Sequence, residues 1–75
     1  MNKMGEYLAK KSVNRAAISR KTGITQHRLE DICNKPTVRL MADELYLIAL
    51  AVGDDPGDVL DFVCLGIDLK NPGAE

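Results

Sequence analysis

The chain has 75 residues, of which 45 % are apolar and 28 % are charged, and its net charge is −1. A chain of this length supports one small core, and this composition is that of a folded globular domain rather than of a disordered protein. No apolar run is long enough to cross a bilayer and the first residues lack the apolar core of a signal peptide, so we expect a cytoplasmic location.

Hydrophobic periodicity predicts an all-α fold, a compact bundle of about five short helices. The helices are expected at about residues 3–11, 15–22, 26–34, 41–52 and 54–64. Asn14 and Thr25 are suitable N-caps, and Gly23 and Gly53 favour the left-handed conformation that ends a helix. Pro36 is expected to stop the third helix.

The last part of the chain gives a weaker pattern. Leu65, Ile67 and Leu69 alternate with other residues, which predicts a brief extended strand. The final five residues are expected to be loose. We therefore expect one domain over residues 1–75, with a C-terminal tail at about residues 66–75.

The two halves of the chain carry opposite charge. Residues 1–40 hold nine Lys or Arg against three acids, a balance of +6, whereas residues 41–75 hold one base against eight acids, a balance of −7. This segregation suits a domain whose first half meets the phosphates of nucleic acid while its second half keeps away from them. A chance distribution of solvated charges is the alternative interpretation.

Catalytic and metal chemistry are not indicated. Cys33 and Cys64 lie in apolar-periodic segments, where reduced buried thiols are common, and together with His27 they fit no metal-ligand spacing. The sequence has no nucleotide-binding glycine loop and no paired acids suited to a cleft. We expect neither an enzyme nor a bound metal or cofactor.

Two helices joined by a short turn that contains glycine form the pattern of a DNA-binding helix-turn-helix motif, here at about residues 15–34. The segment "NRAAISRKTGITQHRLEDICN", followed by "KPTVRLMADELYLIALAVGDDPGDVL", resembles the lambda-repressor-like (Cro/XRE-type) helix-turn-helix family across about residues 4–63. The apolar positions of the family motif are occupied by Ile18, Ile24, Leu29 and Ile32. The resemblance implies a double-stranded DNA partner, with the third helix as the recognition helix.

Several positions depart from the family pattern. Family members often pair an arginine in the first helix with a glutamate at the end of the recognition helix, where Leu8 and Cys33 stand here. Because both partners are replaced by apolar residues, no buried charge is left alone. Ser19 stands where alanine is usual, and Asn34 and Lys35 stand where a glycine is common.

The recognition helix is expected to expose the side centred on His27 and Asp31. The resemblance implies base contacts there and in the first turn, from Gln26, His27, Arg28 and Asp31. Gln26 suits adenine, Arg28 suits guanine or a phosphate, and Asp31 suits cytosine N4. Two alternatives stay open: His27 has no role, or Glu30 and Asp31 merely pair with nearby arginine or lysine residues.

Residues on either side of the recognition helix are expected to contact phosphates. They are Arg15 at the start of the second helix, Asn34 and Lys35 at the end of the third, and Arg39 in the following loop. Four further bases add positive field, although solvation is their plainer role: Lys10, Lys11, Arg20 and Lys21.

The fourth helix is apolar nearly all round. Leu47 and Leu50 lie almost opposite its core-facing residues, at positions where the family usually has polar ones. A helix without a polar face must be covered on both sides. We expect a homodimer with Leu47, Leu50 and Phe62 in its interface. The alternative is that residues 59–69 fold back over this helix within one chain.

The resemblance and the charge split together predict a sequence-specific DNA-binding regulator. The length leaves no room for an activation or ligand domain, which favours a repressor. The alternative is a protein-interaction module, such as the antitoxin of a toxin–antitoxin pair, whose acidic C-terminal half holds a small basic protein and whose DNA binding is secondary.

Overall fold

The helices begin and end where local capping signals predict. A computed structural model describes residues 2–35 and 38–70, and in that part of the chain it contains five α-helices and no strand. The helices are α1 (Lys3–Lys11), α2 (Arg15–Thr22), α3 (Gln26–Asn34), α4 (Ala42–Val52) and α5 (Pro56–Val63). The all-α prediction is confirmed, and α4 begins one residue later than predicted because Met41 is its N-cap. α5 is shorter than predicted at both ends, because Asp55 and Cys64 are its caps.

Side-chain caps set the N-termini of the first three helices. The side chains of Asn2, Asn14 and Thr25 accept hydrogen bonds from backbone amides in the first turns of α1, α2 and α3. These bonds satisfy amides that have no partner within the helix. At the other ends of α2 and α4, Gly23 and Gly53 adopt φ of 81° and 91°, which glycine reaches without steric cost.

One apolar core joins all five helices. α1 packs against α3 and α5, α4 packs against α2 and α5, and α2 packs against α3. The largest fully buried side chains are Leu8, Leu29, Ile32, Ile48, Val59 and Cys33. Leu8 and Cys33, which replace the charged pair common in the family, both lie in this core, so the two substitutions fit one apolar environment.

The predicted strand near the C-terminus is wrong. Cys64 to Gly66 form a turn with φ of 89° at Gly66, and residues 67–69 have no regular structure. A strand is stabilised by pairing with another strand, and the described residues offer none. Leu65, Ile67 and Leu69 are exposed instead.

Two predictions fall outside the described residues, namely the role of Pro36 and the loose final residues. Within residues 2–35 and 38–70, no helix has the length and apolar character needed to span a membrane.

Candidate nucleic-acid interface

The turn between α2 and α3 is fixed by side-chain hydrogen bonds. The Ser19 hydroxyl donates to the Ile24 carbonyl at 2.6 Å, and the Thr22 hydroxyl donates to the Ile18 carbonyl at 2.7 Å while accepting from the Ile24 amide at 3.1 Å. Sequence reasoning treated Ser19 only as a small residue in place of alanine. Its hydroxyl ties α2 to the turn, and this bond helps to fix where α3 begins.

The outward side of α3 carries the polar residues that periodicity predicted. Gln26, His27 and Asn34 are exposed, whereas Leu29, Ile32 and Cys33 are fully buried. This division leaves a continuous polar surface of about two turns on a helix whose opposite side is held in the core. A helix presented in this way has the width to enter the major groove.

Asp31 lies at the centre of this surface between two basic groups. Its carboxylate is 3.3 Å from Lys35 Nζ and 3.6 Å from His27 Nε2, and its side chain is 22 % exposed. The His27 contact becomes an ion pair only when the imidazole is protonated. Lys35 offsets part of the negative charge that Asp31 brings to this surface.

Arg28 is placed differently from the other predicted base-contacting residues. Its Nε donates to Glu44 Oε2 at 2.7 Å, and its Nη2 donates to Glu44 Oε1 at 2.8 Å and to the Arg39 carbonyl at 2.7 Å. Glu44 Oε1 also accepts from the Met41 amide at 2.9 Å. We call this arrangement the Arg28–Glu44 bridge. A base contact by Arg28 would require these bonds to break.

The bridge also shifts the titration of its members. The hydrogen bonds from Arg28 lower the pKa of Glu44, and the hydrogen bonds to Glu44 raise the pKa of Arg28. From the sequence alone, Glu44 is an acid in the first turn of a predicted helix, where it suits the helix dipole. Its position three residues after Met41 was the available signal, because a glutamate there often accepts from the N-cap amide.

The residues predicted to contact phosphates lie at the start of α2, at the end of α3 and in the segment before α4. Arg15 is half-buried at the first position of α2, Asn34 and Lys35 are exposed at the end of α3, and Arg39 is exposed in the segment that precedes α4.

Burial raises the pKa of the Cys33 thiol, and the nearby charge of Arg15 offsets part of that rise.

Asn2 fixes the C-terminal end of α3, and sequence reasoning missed it. Its backbone amide donates to the Cys33 carbonyl at 2.9 Å, and its side-chain amide donates to the carbonyls of Ile32 and Lys35. The same side chain accepts from the Gly5 amide at the start of α1. The last carbonyls of a helix lack partners within the helix. Asn2 alone donates hydrogen bonds to several carbonyls at this end of α3.

Not all of the bases in the first forty residues lie with this surface. Lys3 and Lys10 place their ammonium groups 5.9 and 5.4 Å from the centre of the Phe62 ring, and Lys11 Nζ is 3.0 Å from an Asp54 oxygen. These lysines therefore engage α5 and the segment between α4 and α5. The charge split overstates how much positive charge is available beside α3.

The α4 leucines are exposed in the single chain, whereas Phe62 is partly buried. Leu47 and Leu50 remain 36 % and 53 % exposed, together with Tyr46 at 53 %, and we call these three residues the α4 stripe. The alternative in which residues 59–69 cover these leucines is wrong for the described residues. Phe62 is half-buried and packs on the Tyr7 ring, with 5.8 Å between the ring centres.

A family model described as the Cro/C1-type HTH (helix-turn-helix) DNA-binding domain matches residues 3–64, which include all five helices. This match confirms the resemblance drawn from the sequence. The searches of curated proteins and of solved structures gave no match.

Proposed function

This chain belongs to the Cro/C1-type helix-turn-helix DNA-binding family, and we propose that it is a sequence-specific transcriptional regulator in the cytoplasm that inserts α3 into the major groove. The observation that carries the proposal is the outward side of α3, where exposed polar side chains surround Asp31 on a helix fixed at both ends. We propose repression because occupancy of the duplex suffices for it, whereas activation needs a further contact. No catalytic step is assigned.

The proposal gives the base contacts to Gln26, His27 and Asp31. Gln26 offers a bidentate pair to adenine N6 and N7, Asp31 accepts from cytosine N4, and His27 donates to or accepts from a base or a phosphate. Arg28 is not assigned a base contact, because its guanidinium donates to Glu44. Phosphate contacts are proposed for the four residues that flank this surface, namely Arg15, Asn34, Lys35 and Arg39.

The proposal includes a homodimer formed through the α4 stripe. An exposed apolar stripe on an otherwise folded helix is stabilised when a second copy covers it. A two-fold axis would then place two copies of α3 about one turn of DNA apart and make the target site roughly palindromic.

Selection of bound fragments from random duplex DNA tests the proposal. We expect an enriched sequence of two related half-sites with centres about 10 base pairs apart. Three cations per subunit predict a log–log salt slope near −5 for a dimer, because each phosphate contact contributes about −0.9. The double variant Arg15→Ala/Arg39→Ala should make this slope shallower.

The matched control is Lys3→Ala/Lys10→Ala, which removes the same charge from the α5 side and should leave the slope nearly unchanged. Absence of an enriched sequence together with a flat salt dependence overturns the proposal. If the chain is recovered with a small basic protein and no DNA sequence is enriched, the result favours the protein-interaction module. The observation that supports this second function is the exposed α4 stripe, which lies within the acidic C-terminal half.

A further inference from the structure

The Arg28–Glu44 bridge joins three parts of the protein that border the proposed DNA surface. Arg28 belongs to the first turn of α3, Glu44 to the first turn of α4, and the carbonyl of Arg39 and the amide of Met41 belong to the segment between these helices. The first turn of α3, the backbone beside the proposed phosphate contact and the start of α4 are therefore linked by one pair of side chains.

The bridge has the chemistry of a rigid contact. Its bonds are charge-assisted and two of them form a fork, a geometry that fixes orientation as well as distance. The side chains are largely shielded, with 33 % of Arg28 and 15 % of Glu44 exposed. If Arg28 turned outward to a base, the Glu44 carboxylate would remain shielded without its partner, which is unfavourable.

We propose that Arg28 is a positioning residue for DNA recognition and that Glu44 is its obligatory partner. The bridge holds the base-facing side of α3 and the backbone of Arg39 at a fixed relative position, so both engage the same half-site although Arg28 touches no base. This inference rests on the proposed function. Small errors in the placement of contact residues lower affinity and specificity, which is why such a support matters.

The test compares Glu44→Gln with Asp43→Asn, which removes a neighbouring acid from the same helical turn. Removal of an acid alone strengthens binding to a polyanion slightly, and Asp43→Asn should do so. Glu44→Gln should instead weaken binding to the selected site by about tenfold. Loss of a residue that supports the contact residues without touching the ligand typically changes affinity by about this factor. Arg28→Met should weaken it to the same extent.

The double variant Arg28→Met/Glu44→Gln separates positioning from base contact. Positioning predicts that the double variant binds within about twofold of either single variant, since both changes break the same interaction. A base-contacting Arg28 predicts that Glu44→Gln binds as well as the parent or better, because Arg28 is released. That result overturns the inference, as does a loss in Arg28→Met that is confined to one base pair of the half-site.

Folding is followed by circular dichroism at the temperature of the binding assay. If a single variant does not fold, Arg28→Met/Glu44→Leu replaces both charges by apolar groups and leaves neither charge alone. A loss of discrimination spread over the whole half-site then supports positioning, and a parent-like sequence profile overturns it. If the parent itself binds no duplex, the proposed function and this inference both fail. If the parent binds its site and the bridge variants bind it equally well, the inference alone fails.

Discussion

Replacement of both Leu47 and Leu50 by glutamine tests whether the α4 stripe holds two copies together. The two leucines are 36 % and 53 % exposed, so their coverage removes from water about as much surface as one leucine buries in full, roughly 1.5 to 3 kcal/mol per subunit. A symmetric dimer gains this twice. We therefore expect the double variant to raise the dimer Kd by between about a hundredfold and about twenty thousandfold.

Sedimentation equilibrium of the parent and the variant measures this change, and circular dichroism confirms that the monomer remains folded. Glutamine is a good helix former, so the helix itself should persist. Leu69→Gln is the matched control, since Leu69 is 66 % exposed and lies outside α4. A parent that is monomeric at every concentration, or a variant with the parent's Kd, refutes the role of the stripe.

Three further predictions concern stability. Asn2→Ala should lower the free energy of unfolding by about 1 to 3 kcal/mol in urea titrations, because it removes a cap of α1 and donors to the end of α3, whereas Asn34→Ala should change little. Gly23→Ala should cost about 1 to 2 kcal/mol by thermal unfolding, since φ is 81° and only the backbone conformation opposes the methyl group. The pKa values of Glu44 and Asp54 are lowered, mainly by hydrogen bonds from Arg28 and Tyr7 respectively. The stabilisation that these two carboxylates give the folded protein is complete above the pKa values they have in the unfolded chain, near 4. It should be lost as the pH falls through their lower pKa values in the folded protein. The loss of stability in acid should be smaller in Glu44→Gln.

The helices could be predicted because their signals are local. Asn14, Gly23 and Thr25 cap their helices through groups within three or four residues in sequence, so the residue types alone indicate the boundaries. The apolar alternation of Leu65 and Ile67 is also local, but a strand requires a partner elsewhere in the fold. Sequence reasoning could not show that this partner was missing.

The candidate site was predictable in its outline and not in its details. Helical periodicity correctly placed His27 and Asn34 on the outward side of α3. It could not show that Arg28 reaches Glu44, sixteen residues later, because that contact joins side chains of two different helices and depends on the tertiary fold. The same limit explains Phe62, whose apolar ring satisfied the requirement for an interface residue but is engaged by α1.

The contacts of Asn2 connect two helix ends that are thirty residues apart in sequence. Its side chain holds the first turn of α1 and the last turn of α3 at the same time, so neither end can fray without loosening the other. Amide hydrogens in these two turns should exchange with solvent as a single cooperative unit. A DNA ligand that orders the end of α3 should therefore also slow exchange at Gly5, in a different helix.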